Sequence, residues 1–484
     1  MKILKHSIKI TLIVLLFIAG SACDRVLDVK PTDILDQEKA LQNLDDYEAA
    51  LVGCYTPLRG AGYYGRALYI LPDMMSDNLA EITGSLGNYR EMTDWFFTPA
   101  TGEVSNFFIA AYTAIGRANL IINTIGKFEA TNQRKANRIK GQALAIRAMA
   151  HFDLLRIFGQ SYERNSSALG VPIVKVFGQP SLKPKRNTVK EVYDAVFEDL
   201  LAAEELLQPS NVDISEGSTG FNKNFLSLRA VRFLLARVSQ YAEQWQDAVK
   251  YATDAIGNLQ PATGAAYDGI WENDNYANVG EVIWAVRYNT IGEGRIAAPV
   301  TFFSGNYLIS FLPSQALMSL YNTGDRRINA FTRVLTTSGS AGGKRAVSKF
   351  LGRGGQPDGV VDAKAFRLSE LYLIRAEANR RLGNNTDAVA DLNAVRNARN
   401  AGALSTAEQN DFFLAIENER RREFAFEGHR WFDFRRYKKG IQRGTDCQPP
   451  ATACSLPADS PRFVWPIPQS EILANPNMEQ NPGY

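Results

Sequence analysis

The sequence predicts a mainly α protein whose helices pair in tetratricopeptide-like fashion, interrupted by an irregular stretch with few short strands. Three observations carry that reading. Apolar residues recur every three or four positions over long segments, the mark of helices with one buried face. Two helical hairpins share one spacing: Ala236, Trp245, Ala248 and Ala255 stand 9, 3 and 7 residues apart, and so do Ala376, Asn385, Ala388 and Val395. Small residues at those points let antiparallel helices approach closely, with a larger side chain filling the turn. Between Pro261 and Gly359, Gly, Asn, Thr and aromatics replace the helical period, and β-prone pieces such as Val282–Tyr288 lie between turn residues.

The first 22 residues form a leader. Lys2, Lys5, His6 and Lys9 precede a ten-residue apolar run, Ile10–Ala19. Ten helical residues reach about 15 Å, half of a hydrocarbon core of about 30 Å, so the run is too short to span comfortably. Ala19, Gly20, Ser21 and Ala22 then lead into Cys23. Small residues directly before a cysteine resemble a bacterial lipobox, with Gly20 where Leu is usual. Cys23 is therefore the expected lipid anchor, and residues 23–484 the exported chain; a plain signal peptide is the alternative.

Charge narrows the function. The chain has 54 Lys+Arg against 51 Asp+Glu, and the excess of three is the leader's lysines. A balanced mature chain lacks the pull that phosphate backbones require, which argues against nucleic-acid binding. Past the leader only His151 and His429 remain, too few for a histidine-rich metal centre; no cofactor or metal is expected. Cys447 and Cys454 bracket a Pro-rich loop and are the candidate disulfide in an oxidising compartment. Cys54, in an apolar stretch, reads as a buried thiol.

The helical period predicts, in order, helices over 45–55, 107–128, 133–158, 189–207, 225–259, 366–382, 386–400 and 406–426. The pair 133–158 and 189–207 is split by the loop 169–186. No G-x-S-x-G elbow or Walker loop occurs. Gly352–Gly355 reads as a turn, and Glu272–Asn275 resembles a calcium loop in composition alone. Glu419–Arg436 lacks the two-histidine spacing of a zinc protease. Its acids instead predict the helical ion pairs Glu417–Arg421 and Glu419–Arg422, and its aromatics predict cation–π packing. His151 sits among apolar neighbours and reads as a core residue.

Several blocks carry a family resemblance: Arg367–Asn384, Asp391–Asn400, Glu419–Arg436, the tail Pro466–Tyr484, Ala145–Gly159 and Gly116–Asn123. In this order they resemble the SusD/RagB family across essentially the whole mature chain. The resemblance implies an outer-membrane lipoprotein with a tetratricopeptide-like scaffold. An irregular part packed on it, roughly 60–100 and 261–360, carries the ligand site. It further implies a non-catalytic partner of a TonB-dependent transporter barrel, capturing oligosaccharides or, in some members, peptides. A secreted glycoside hydrolase with two carboxylates is the reading from another class, and no motif supports it.

Sugars present apolar CH faces ringed by hydroxyls, so their sites need aromatic platforms edged by amides, carboxylates and arginines. One stretch offers Tyr64, Asp73, Asn78, Tyr89, Arg90 and Trp95. The other offers Trp271, Asn273, Asp274, Tyr276 and Tyr307. Trp95 and Trp271 lead as stacking platforms.

Overall fold

The computed structural model describes residues 41–178, 181–212, 222–290, 300, 309–335, 342–355, 358–448 and 453–484. Contacts divide the chain into residues 1–47, of which 41–47 are described, and residues 48–484. Cys23 lies outside the described residues, as does Tyr307.

The helices begin where their capping chemistry directs. Helix α1 is Leu44–Arg59, α2 Gly102–Thr124 and α3 Gln133–Phe158; Asn132 caps α3 by accepting from Lys135 N. Helix α4, Val189–Leu206, opens with a reciprocal capping box between Thr188 and Glu191. Helices α5 (Leu228–Tyr241) and α6 (Trp245–Ile256) form the first predicted hairpin, and α8 (Leu368–Arg381) and α9 (Asn385–Ala398) the second. Between them lies α7, Gly264–Asn273; α10 is Phe412–Glu423 and α11 Arg430–Arg436. Successive helices from α2 to α6 pack on one another, and α6 packs directly on α8. The repeats that stand 140 residues apart in sequence are therefore neighbours in space, and residues 261–362 are an excursion between them.

The small-residue spacing works as expected at six of its eight points; Asn385, at the start of α9, is exposed. Ala236, Ala248, Ala255, Ala376, Ala388 and Val395 are fully buried. Trp245, expected between the helices, is instead partly exposed, with the Arg381 guanidinium 5.5 Å from its ring centre. At the first residue of α6 its side chain covers the hairpin's end rather than its seam. Polar ties cross the scaffold as well. Arg147 of α3 grips Asp199 of α4 at 2.7 and 2.8 Å and Asn119 of α2 at 2.8 Å.

The C-terminal tail closes the scaffold. Trp465 packs against Phe97, Phe107 and Phe158, and Asn481 donates to the carbonyls of Phe158 and Trp465.

The excursion returns through short antiparallel pairs. Strand β1 (Leu79–Glu81) pairs with β3 (Phe311–Pro313), β2 (Val282–Val286) with β6 (Ala363–Arg367), and β4 (Thr332–Val334) with β5 (Arg345–Val347); β7 (Ile441–Gln442) and β8 (Ser455–Leu456) form the last pair. Strand β6 runs into α8 and brings Phe366 flat against Phe233 of α5, 4.5 Å between centroids.

Buried charge joins the excursion to the scaffold. Glu423 accepts from Arg367 at 2.6 Å, Arg399 at 2.9 Å and Arg327 at 3.1 Å. Arg327 also reaches Asp325 and Glu419, while Arg367 reaches Glu281 and Glu427. None of these side chains is more than 2 % exposed.

A charge driven into the α5–α6 seam would be buried without a partner. Ala248→Arg should therefore cost about 3 kcal/mol or more. A calorimetric melting midpoint equal to that of the unaltered protein would contradict this pairing.

Candidate functional site

Most of the residues expected to meet ligand between 62 and 95 turn inward. The Tyr64 ring meets Trp284 edge-on at 5.5 Å, and its hydroxyl lies 3.8 Å from the Met149 sulfur. Asp73, fully buried, accepts from Asn78 Nδ2 and from the Gly428 amide, each at 2.5 Å. Burial pushes its carboxyl up to about 7 against those two donors. Only glycine fits at 428: its φ is +81°, and a Cβ would stand 2.0 Å from the Leu68 carbonyl oxygen. Asn78 accepts from Arg421 Nε at 2.9 Å. Asp77 pairs with Arg430 at 2.8 Å and Arg421 at 3.2 Å. Burial opposes its charge, yet the two arginines hold its carboxyl below the usual range.

That geometry corrects two expectations. Arg421 is drawn to Asn78 and Asp77, so the predicted Glu417–Arg421 helical pair does not form; Glu417 takes Arg430 and Lys439 instead. Trp95 is 4 % exposed and cannot be an open platform. Its Nε1 donates to the Met75 carbonyl at 2.9 Å, and the Arg443 guanidinium lies 4.3 Å from its ring centre. These contacts hold its backbone at φ +60°, a conformation costing a non-glycine residue about 1–3 kcal/mol. The Glu419–Arg422 pair does form, at 2.6 Å.

The second stretch is corrected likewise. The segment expected to be irregular holds α7, whose Tyr267, Ile270 and Trp271 form one buried face at helical spacing. Trp271, 1 % exposed, is boxed by Phe331, Lys349 and Arg367. Tyr276 is buried and donates to Asp362. Asp274 takes Arg353 at 2.7 Å, the Asp362 amide at 2.8 Å and Lys364; with cations on it, this carboxylate is no calcium ligand. Asn273 is exposed.

What reaches solvent is the edge formed by residues 81–96. Leu86 is 65 % and Phe96 49 % exposed, with Tyr89 and Arg90 partly so. The Ile82 amide donates to Ser310, which ties the edge to β3. Arg90 pairs with Glu81 at 3.2 Å and packs beneath Gly87, where a Cβ would meet the guanidinium at 3.0 Å. Arg66 lies 5.3 Å from the Tyr89 ring centre. Burial raises the Tyr89 hydroxyl against the pull of Arg66, so it stays neutral and can donate. Glu81 Oε2, Arg66 Nε and Arg90 Nε are buried without a hydrogen-bond partner, a capacity that folded proteins seldom leave unspent. Phe96 is not among the residues expected from the sequence; the left-handed backbone of Trp95 turns that ring inward and leaves Phe96 exposed before Phe97 is buried again.

The remaining candidates are structural. Cys447 and Cys454 form a disulfide with 5.8 Å between Cα atoms. Its loop buttresses the edge through Arg443, which donates to the carbonyls of Ser76 and Thr93. The crevice between them holds about 10 Å³, the room of a single water. Cys54 is a buried free thiol pushed up to about 12. Burial and nearby Arg147 drive His151 down to about 3. Its neutral ring bridges the Arg147 carbonyl and the Val174 amide. His429 is likewise pulled well below its usual range by burial and stacks on Phe424 at 4.4 Å. Among the described residues no group of three or more His, Cys, Asp or Glu could hold a metal ion.

Comparison with known proteins agrees with this architecture. Residues 359–484 match the model of the SusD family, and residues 27–224 match the family described as starch-binding associating with outer membrane. The SusD-like protein P38 of Formosa agariphila is 25% identical over 99% of both chains. A SusD superfamily protein from Bacteroides thetaiotaomicron superposes with a TM-score of 0.80 at 27% identity, covering 91% of this chain and 100% of that one. A putative sugar binding protein from Bacteroides vulgatus gives 0.78 at 29% identity over 92% and 99%.

Proposed function

The chain belongs to the SusD/RagB family, and we propose that it binds oligosaccharide at the outer membrane and passes it to a TonB-dependent transporter barrel. The observation carrying this reading is the edge at 81–96. The partly exposed Tyr89 ring has the Arg66 guanidinium 5.3 Å from its centre, Arg90 and Glu81 form an ion pair in the same segment, and Phe96 is exposed at its end: rings with polar side chains in one segment, as a sugar site requires. The starch- and sugar-binding descriptions of the matched family and of one similar structure point the same way. We read the protein as a binder rather than a hydrolase. Its most perturbed carboxyls, Asp73 and Glu423, are fully buried and held by partners, out of reach of a glycosidic bond.

A stacked ring at the centre of a binding patch carries about 2 kcal/mol, or some thirtyfold in Kd. Calorimetric titration with oligosaccharides should show Tyr89→Ala and Phe96→Ala each weakened about that much, with melting midpoints unchanged. Trp95→Ala should instead lower the midpoint. Wild-type affinity in both edge variants would remove the site. Peptide binding with no glycan binding would move the reading to peptide capture.

The anchor is proposed at Cys23, where several acyl chains at about 0.8 kcal/mol per buried CH₂ hold stably. Cys23→Ala should leave the membrane fraction after a salt wash, while the native protein, extracted in detergent, should co-purify with a large β-barrel receptor. Retention of the variant in the membrane would refute lipidation, and purification without a barrel would refute delivery.

A further inference from the structure

A cleft of about 620 Å³, lined by no residue of the 60–100 and 261–360 segments, lies between the ends of α3, α5 and α11 and the tail. Its walls are Tyr162, Tyr241 and Phe463; Glu163, Glu243 and Lys438 stand at its rim. The two tyrosine rings meet edge-on at 5.3 Å, and Arg435 lies 4.1 Å from the Tyr162 ring centre.

The rim residues occupy costly positions. Helices α5 and α11 both end in Schellman motifs. In one, the Gln244 amide bonds to the Ser239 carbonyl and the Glu243 amide to Gln240. In the other, the Lys439 amide bonds to Phe434 and the Lys438 amide to Arg435. The residue after the cap is left-handed in such a motif and is usually glycine. Here it is Glu243 at φ +55° and Lys438 at φ +54°. The repeated hairpin supplies an internal control. Position 383, equivalent to 243 in the second hairpin, ends α8 with the same bonding pattern and is Gly383 at φ +85°. At two of the three helix ends that line this cleft a charged side chain therefore stands where the repeat has glycine; Asp274 after α7 and Asn400 after α9 are left-handed as well, Asp274 being held there by Arg353 and Lys364. A strained position retained against an available glycine points to a use for the side chain: Lys438 pairs with Glu163 across the rim at 2.9 Å, and Glu243 leaves an exposed carboxylate beside them.

The cleft's polar groups define the chemistry it would take. Ser161 and Ser460 each accept a backbone amide, from Glu163 at 3.0 Å and Arg462 at 3.3 Å, and keep their own hydroxyl protons to donate. Glu243 and Asp459 are exposed carboxylates that accept. Arg435 is committed to the carbonyls of Arg156 and Gly159, and Arg436 to Glu377. The cations deepest in the walls are therefore already partnered and do not call for an anion. We propose that this cleft is a second saccharide site for a short neutral oligosaccharide, separate from the edge at 81–96. The inference rests on the carbohydrate reading of the chain.

The test uses the full mature chain and four probes titrated calorimetrically, the sugars maltotriose, cellotriose and laminaritriose and the cationic peptide trilysine. The native protein should take two molecules of at least one trisaccharide per chain. A Tyr89→Ala/Phe96→Ala variant should keep one. Adding Glu243→Gly or Lys438→Gly should weaken that remaining event at least tenfold. Glycine suits both backbone positions, so the melting midpoint should hold or rise, which separates lost binding from lost folding. One molecule per chain, abolished entirely by the edge variant, would overturn the second site and leave the proposed function standing. Unchanged affinity after the glycine substitutions would overturn it too, as would a cleft that takes trilysine and no sugar. Heat from none of the sugars would overturn both readings.

Discussion

One carboxylate holds the two parts of this protein in register. Glu423, the last residue of α10, accepts from Arg327, Arg367 and Arg399 at once, with none of the four side chains more than 1 % exposed. Arg327 comes from the excursion, Arg367 from the strand that ends it, and Arg399 from the end of the second hairpin. Desolvating four charges is expensive, and an apolar core of equal volume is often as stable. What this arrangement supplies is uniqueness. Any other seating of the excursion would strand at least one buried charge, a penalty of about 3–5 kcal/mol.

From that hub the excursion is located by steps. Strand β6 carries Arg367 into the hub and pairs with β2, while Glu281, just ahead of β2, meets both Arg367 and Arg399. Glu427 and Gly428 follow α10 and reach outward. Glu427 receives Lys349, and the Gly428 amide seats Asp73, the start of the segment that leads to the exposed edge. The rings at 89 and 96 thus stand on a chain of buried polar contacts, not on a free loop.

This division explains what was legible in the sequence. Helical periodicity located α3 to the residue, and the spacing of Ala236, Ala248 and Ala255 found a seam that packs as expected. Those are local patterns, written in contacts between near neighbours. The excursion was legible as an irregular part, but its aromatics were not. Trp95 and Trp271 stand beside polar residues in sequence and look solvent-facing, yet the charges beside them in space come from Arg443, Lys349 and Arg367. Partners so remote leave no period to read. The same holds for Arg421, whose helical neighbour Glu417 lost to Asn78, 343 residues away. Glu243 is a different case: the 140-residue offset of the repeat pairs it with Gly383, but its left-handed backbone appears only in the structure.

The hub makes its own demand on pH. Burial penalises Glu419, but Arg327 and Arg422 bring its carboxyl down to about 2, and three guanidiniums hold Glu423 well below its usual range. Groups depressed in the folded state bind fewer protons there than in the unfolded chain. Their stabilisation is full above pH 4.5 and lost as pH falls from 4.5 towards 2. Asp73, raised to about 7, acts in the opposite sense between pH 7 and 3.8, while Lys349, lowered to about 7, acts in the same sense as the hub acids but between pH 10.5 and 7; neither changes its contribution over most of the lower window. The decisive measurement is the melting midpoint of the native chain and of Glu423→Gln between pH 7 and 2.5. The native chain should lose stability steeply below pH 4.5. The variant should start several degrees lower and show a shallower loss. Equal midpoints at pH 7, or parallel curves below pH 4.5, would contradict the hub.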